Sequence, residues 1–271
     1  MVEGQAGGAD RAGWWGSGNA YEPYVGRWSR PVAREFLGWL AVPPGGRWLD
    51  VGCGTGALSE TILSLANPGE ILGIDPSPAF VAFARDRVRD PRVRFDVGEA
   101  QALQADAATF DAVVAGLVLN FVPEPGGAVS EMARVARPDG TVAAYLWDYA
   151  EGMQMMRHFW DAAIALDPAA RELDEGSRFA LCRPEPLADL FRSAGLEDVE
   201  VRAIDVPTVF RDFDDYWSPF LAGQAPAPAY AMSLSEEGRA ELRDRIKANL
   251  PTNAEGEHYL TARAWAVRGK G

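Results

Sequence analysis

The stretch Trp48-Leu49-Asp50-Val51-Gly52-Cys53-Gly54-Thr55-Gly56 decides how this chain of 271 residues is read. Trp48, Leu49 and Val51 form an apolar strand that runs into glycines at 52, 54 and 56. Ala57-Leu58-Ser59-Glu60-Thr61-Ile62-Leu63 then reads as a helix. Glycine admits positive φ and carries no Cβ, so the main chain can lie directly against a ligand. The helix that follows turns its free N–H groups and its positive dipole end toward the same point. The expectation is a nucleoside-cofactor site at the carboxyl end of a first parallel strand.

The loop satisfies two patterns. Gly52, Gly54 and Ala57 match G-x-G-x-x-A, the dinucleotide fingerprint, a weak signal on its own. Asp50, Gly52, Gly54 and Gly56 make D-x-G-x-G-x-G, which resembles the first motif of the class I S-adenosylmethionine-dependent methyltransferases. The acid at 50 separates the two patterns. A carboxylate there suits a cationic amino-acid cofactor and repels a pyrophosphate.

Downstream motifs extend the resemblance. Glu70-Ile71-Leu72-Gly73-Ile74-Asp75 is a second strand ending in an acid, about 20 residues after the loop, where a ribose diol takes hydrogen bonds from either cofactor. Val93-Arg94-Phe95-Asp96-Val97-Gly98-Glu99-Ala100 is a third strand whose Gly-Glu-Ala end resembles the family's Gly-Asp-Ala adenine element, with Glu one methylene longer than Asp. Residues 110–121 resemble its fourth strand, and Arg137-Pro138-Asp139-Gly140 its turn into the fifth, 141–146. Four motifs in order over about 100 residues make chance agreement small. The resemblance is to the small-molecule, ubiquinone/menaquinone-biosynthesis-like branch and is strong over 21–149. It implies an α/β fold: a seven-stranded, doubly wound Rossmann-like sheet, mostly parallel, with an antiparallel last strand. It implies S-adenosylmethionine as cofactor and methyl transfer to an O, N or C nucleophile of a small molecule. An NAD(P)-dependent oxidoreductase is the alternative, and a non-methylating cofactor-binding relative is a third reading.

Bulk properties narrow the partners. Against 26 Lys and Arg stand 39 Asp and Glu, a formal charge of −13, which disfavours nucleic acid and anionic membrane surfaces. No apolar run has the length of a membrane span, and the first residues carry no basic or apolar targeting pattern. Two cysteines make no disulfide framework. Cys53 reads as a small filler inside the glycine loop and Cys182 as buried. A cytoplasmic protein without a metal centre is expected.

Residues 1–18, rich in Gly and Ala, are expected to be a disordered tail before a single domain at 19–271. A helix with Val32, Phe36, Leu37 and Leu40 on one face precedes Pro43-Pro44-Gly45-Gly46 and strand one. After strand five an insertion at 150–183 carries a helix. Strand six follows at 199–204, then an insertion at 207–256, and strand seven at 259–267. With about 19–40, the two insertions are the expected lid and substrate elements, roofing an acceptor pocket beyond the strands' carboxyl ends.

The cofactor candidates are Asp50, Gly52, Cys53, Gly54, Gly56, Asp75, Pro76, Glu99 and Ala100. Asp75 equally fits a turn acid, since Pro76-Ser77-Pro78 follows it. Tyr21, Tyr24, Arg27, Trp28 and Ser29 resemble an N-terminal lid segment, in which Arg27 would pair with the methionyl carboxylate. The acceptor candidates are Asn120 and Phe121 after strand four, and Asp148 and Tyr149 after strand five. Of two histidines, His158 falls beside the expected acceptor cavity and is the candidate base, whereas a structural role is the usual one for a lone helical His. The aromatic stripe Phe210, Phe213, Tyr216, Trp217 and Phe220 is either core or pocket wall.

Overall fold

The structure, a computed structural model, describes residues 27–222 and 225–271. The tail at 1–18, Tyr21 and Tyr24 lie outside the described residues. Helix α1 (Arg27–Leu40) leads into β1 (Arg47–Val51). The glycine loop joins β1 to α2 (Ala57–Leu65), and then come β2 (Glu70–Asp75), α3 (Pro78–Arg87) and β3 (Val93–Val97). β4 (Phe110–Gly116), α4 (Pro125–Val135) and β5 (Ala136–Trp147) complete the parallel half.

The sheet order is β3-β2-β1-β4-β5-β7-β6, with β1 to β5 mutually parallel. β7 (His258–Lys270) runs antiparallel to both β5 and β6 (Glu197–Phe210), as expected. The strand order reverses between β1 and β4, and a crevice opens there at the carboxyl ends. Strands buried on both faces read as continuous apolar runs, which explains Ala112 to Ala115 in β4, all fully buried. Right-handed crossovers place α2 and α4 on opposite faces. α1 packs beside α2, and α4 beside α7 (Pro184–Ser193).

Three boundaries differ from the sequence expectation. β4 stops at Gly116, because Leu117 takes φ 60 and turns the chain into the short 3₁₀ turn Leu119–Phe121. β5 begins at Ala136, absorbing the 137–140 turn into an irregular start where its register with β4 slips. β6 continues to Phe210, so the second insertion begins at 211 rather than 207. Pro207 is tolerated inside it because β6 is the edge strand and no neighbour needs its missing N–H.

The first insertion holds α5 (Gln154–Leu166) and α6 (Glu175–Arg178). It is pinned by the Arg157–Asp174 pair at 2.8 Å and by Trp160 Nε1 donating to the buried Glu175 carboxyl. Burial pushes that carboxyl up to about 7. The second holds α8 (Phe213–Trp217), α9 (Pro226–Ser233) and α10 (Glu236–Asn249). The aromatic stripe is their shared core. Phe159 stacks on Phe220 at 4.5 Å, and the Tyr216 hydroxyl donates to the Met155 carbonyl at 2.8 Å. The two insertions thus pack on each other, and none of the five stripe residues lines the crevice.

Candidate cofactor and acceptor site

The crevice is built first by backbone. Gly52, Gly54 and Gly56 take φ of 71, 52 and 83, a region side chains rarely occupy. The N–H groups of Gly52 and Cys53 both donate to the Ile74 carbonyl, at 2.7 and 3.0 Å, drawing the loop across the end of β2. A Cβ on Gly52 would sit 2.5 Å from Val118 Cγ2, so this glycine is needed for packing. A Cβ on Gly54 would meet no atom within 4 Å; it would point into open crevice. Gly56 is the N-cap of α2 and offers no side-chain cap; Asp50 accepts from the Ser59 N–H, so the N–H groups of Ala57 and Leu58 are the ones that face another acceptor.

Two carboxylates flank this loop. Asp75 Oδ2 accepts from Gly54 N–H at 3.0 Å and Oδ1 from Ser77 N–H at 2.9 Å, so the acid holds the loop and the start of α3. Each oxygen keeps a lone pair free for a hydroxyl. Burial raises its pKa, partly offset by these two N–H donors, and the nearby Glu99 charge raises it further. Asp50 is 1% exposed. Its Oδ2 accepts from Ser59 Oγ at 2.7 Å, whereas Oδ1 is buried without a partner. Desolvation pushes its pKa up to about 7. A buried carboxylate oxygen without a donor, beside uncapped helix N–H groups and a glycine facing empty space, fits a ligand with a cationic group next to an anionic one. The amino acid end of S-adenosylmethionine has that character.

Beyond the loop the crevice turns apolar and aromatic. Leu117, Val118, Phe121, Tyr145, Trp147 and Tyr149 form its far wall, below the ends of β4 and β5. Gly116 permits this: a Cβ there would lie 2.7 Å from the Tyr145 hydroxyl oxygen. Among the described residues no Lys, Arg or His lines the crevice. Among the same residues no group of three or more His, Cys, Asp or Glu is placed to hold a metal ion.

Of the sequence candidates, the structure gathers Ser29, Asp50, Gly52, Cys53, Gly54, Asp75, Phe121 and Tyr149 around one crevice. Others fall away from it. Arg27 lies between the Trp28 and Phe210 rings, 4.6 Å from each centroid, and pairs with Asp215 at 3.3 Å. Its Nη1 and its ring contacts tie it to β6 and the second insertion, Nε and Nη2 being buried without a partner, and Trp28 is buried edge-on to Phe210. Gly56 shapes the loop from behind, its Cβ position facing Ala84, Phe95 and Val88. Pro76, Glu99 and Ala100 do not line the crevice, although Glu99 is close enough to act on Asp75 electrostatically. Asn120 is half-buried, its Nδ2 atom inaccessible and unpartnered, one residue from the wall. Asp148 is turned inward, accepting from Glu151 N–H at 3.0 Å and facing Arg263 at 4.0 Å.

His158 does not line the crevice. It is half-buried on α5, and desolvation lowers its pKa. His158→Gln is accordingly expected to change the methyl-transfer rate by less than about twofold, whereas a general base contributes ~100-fold or more; a steady-state assay checks it. His258 is buried beneath Phe213, its Nδ1 2.9 Å from the Pro251 carbonyl. Sequence reading missed Phe80, Tyr145 and Trp147 on the crevice wall. Tyr145 and Trp147 alternate on β5, so their shared face was legible, but a buried strand gives no sign of which end reaches a ligand.

A doubly wound sheet with a glycine loop at its first strand, an acid at the end of the second and an aromatic cavity beyond the fourth and fifth defines a nucleoside-cofactor enzyme acting on a small molecule. Comparison with known proteins agrees. A family model described as a methyltransferase domain matches residues 49–144. A demethylmenaquinone methyltransferase of Roseiflexus castenholzii is 32% identical over 61% of this chain and 74% of its own length. A ubiquinone biosynthesis O-methyltransferase of Hahella chejuensis is 28% identical over 74% of this chain and 82% of its own. In fold, the chain is similar to a phosphoethanolamine N-methyltransferase 2 of Haemonchus contortus solved with S-adenosyl-L-methionine. The TM-score is 0.57 at 18% identity, over 93% of this chain and 56% of the other. The chain belongs to the class I S-adenosylmethionine-dependent methyltransferases, in the small-molecule branch. It is an enzyme that transfers a methyl group from S-adenosylmethionine to a small molecule, and the oxidoreductase alternative finds no support. No helix among the described residues is long and apolar enough to cross a membrane.

Proposed function

We propose that the acceptor is a neutral aromatic ring bearing hydroxyl groups, of the quinol type, and that the crevice divides into a cofactor half and an acceptor half. The observation that carries this is the far wall: four aromatic side chains, Phe121, Tyr145, Trp147 and Tyr149, with no cationic residue among the described lining. Such a wall stacks on a planar ring and offers nothing to a phosphate or carboxylate. The names of the relatives, which act in quinone biosynthesis, point the same way.

In the cofactor half, Asp75 binds the ribose diol and the uncapped N–H groups at the glycine loop bind the methionyl carboxylate. Asp50 faces the methionyl ammonium through its unpartnered Oδ1. Phe80 covers the nucleoside, and an adenine extending past the lined crevice would meet Glu99 and Ala100. When bound, S-adenosylmethionine supplies an electrophilic methyl on its sulfonium. The chain itself aligns the acceptor with that methyl and excludes water around it. Ser29, on α1, and Tyr149, two residues beyond β5, close the two sides. The domain is a single unit with lid elements at α1 and the two insertions. The free, buried Cys53 and Cys182 suit a reducing cytoplasm. The charge of −13 speaks against a nucleic-acid acceptor.

Asp75→Ala is expected to weaken S-adenosylhomocysteine binding at least tenfold. Hydrogen bonds to a charged acceptor are worth about 1.5–3 kcal/mol each, and the Gly54 N–H loses its anchor as well. Calorimetry reads the loss, and wild-type affinity in a folded variant removes the ribose assignment. The acceptor class is tested with methyl-labelled cofactor and 1,4-naphthohydroquinone beside phenyl phosphate and glycine. Methylation of the quinol alone supports the reading, and methylation only of the charged acceptors overturns it.

A further inference from the structure

Trp147 is the last residue of β5, 2% exposed, and one wall of the acceptor half. Its indole Nε1 is buried with no hydrogen-bond partner. A buried donor left unpaired destabilises the fold, and phenylalanine or leucine would fill this place without that cost. The position bears on the reaction. β2, which ends in Asp75, and β5 lie three strand spacings apart in the sheet, roughly 14 Å at about 4.8 Å per strand. A cofactor whose ribose lies at β2 and whose methionine lies over β1 presents its far side toward β4 and β5. The acceptor ring therefore meets the β5 end, and Trp147 borders it. The other wall residues are three aromatics and aliphatics, among which Trp147 alone carries an unpartnered buried donor.

Resting on the aromatic-acceptor reading above, we propose that Trp147 is a specificity-determining residue: its indole N–H donates to an oxygen of the acceptor ring other than the methylated position. The enzyme then selects rings with two oxygen substituents over rings with one. The bond also fixes the ring's rotation in its plane, and with it which atom faces the methyl group. Both effects require an N–H and not merely an aromatic surface, so phenylalanine at 147 is expected to retain the stacking and lose the selection.

The test compares 1,4-naphthohydroquinone with 1-naphthol, rings of one shape that differ by one oxygen, using methyl-labelled S-adenosylmethionine. Wild type is expected to favour the hydroquinone in kcat/KM. In Trp147→Phe that preference is expected to fall about tenfold, with S-adenosylhomocysteine affinity unchanged by calorimetry. Trp48→Phe is the comparison. It also loses a buried, unpartnered indole N–H, but from β1 and away from the crevice lining, so its preference stays at the wild-type value. An unchanged preference in Trp147→Phe, with the hydroquinone still methylated, overturns the role of Trp147 and leaves the acceptor class standing. A wild-type enzyme that binds S-adenosylhomocysteine yet methylates neither ring overturns the acceptor class, and this role with it. Wild-type protein gives a reading that needs no folded variant. In its S-adenosylhomocysteine complex, 1,4-naphthoquinone is expected to move one of the nine tryptophan indole N–H resonances downfield, as a new hydrogen bond does. Nine unmoved resonances overturn the proposal.

Discussion

Gly54→Val is expected to abolish measurable binding of S-adenosylhomocysteine, a loss of more than ~100-fold, while the protein keeps its fold. The residue sits at φ 52, and a Cβ built on it touches no protein atom within 4 Å. The new side chain therefore collides with nothing in the free protein and projects into the volume a ligand must occupy. A β-branched residue at positive φ adds strain of about 1–3 kcal/mol, which the domain survives. Gly52→Val is expected to fail differently. Its Cβ would lie 2.5 Å from Val118 Cγ2, inside van der Waals contact, so the loop and the turn after β4 cannot both keep their places. Thermal unfolding separates the two: Gly54→Val melts within several degrees of wild type and is silent in calorimetry, whereas Gly52→Val is destabilised or insoluble. A Gly54→Val variant that binds normally would show that the cofactor does not cross this loop.

Asp50→Asn is expected to move stability and binding in opposite directions. The folded-state pKa is about 7, above the ordinary 3.8, because burial disfavours the charge. Between those two values the folded protein holds a proton that the unfolded chain has lost. Asp50 therefore weakens the free protein progressively as pH rises from about 4 to 7, and the penalty is complete above 7. Asn keeps an acceptor for Ser59 Oγ and carries no charge, so the free variant should melt higher than wild type at pH 8. Cofactor binding should weaken about 10- to 100-fold at that pH, because the methionyl ammonium loses its carboxylate. In wild type, affinity should fall up to about tenfold per pH unit below 7, as Asp50 must lose a proton to meet the ammonium. Calorimetry from pH 5.5 to 8 in buffers of different ionisation heat counts that proton, and Asp50→Asn should remove the acid limb. A pH-independent wild-type affinity would place the ammonium elsewhere.

These two effects originate in residues that were readable before any fold was known. Asp50, the three glycines and Asp75 are close in sequence to the strand ends that carry them, and their roles are local. Positive φ needs glycine wherever a tight strand–helix turn occurs, and a strand ending in an acid places that acid at the crevice. Strand–helix alternation to about residue 149 made a parallel doubly wound sheet legible, whereas the seventh, antiparallel strand was expected from the family resemblance. Arg27 shows the limit of such reading. Its type and position suited a carboxylate ligand, yet the side chain is held by Trp28, Phe210 and Asp215, the last of them 188 residues away in sequence.

Of the proposed acceptor half, Phe121 and Tyr149 were readable from the sequence, and tertiary structure decided the rest. His158 lies on the expected helix but away from the crevice, because α5 turns its Phe159 and Trp160 face inward against the second insertion. The aromatic stripe at 210–220, open between core and pocket as a sequence, is core because two insertions without motifs found each other as partners. Tyr145 and Trp147 read as ordinary buried strand and became the pocket wall because Gly116, on the neighbouring strand, leaves room beside them. Backbone geometry and strand alternation are written locally, within a few residues. Which side chains converge on an apolar cavity depends on the packing of segments far apart in the chain, and no short-range pattern encodes that.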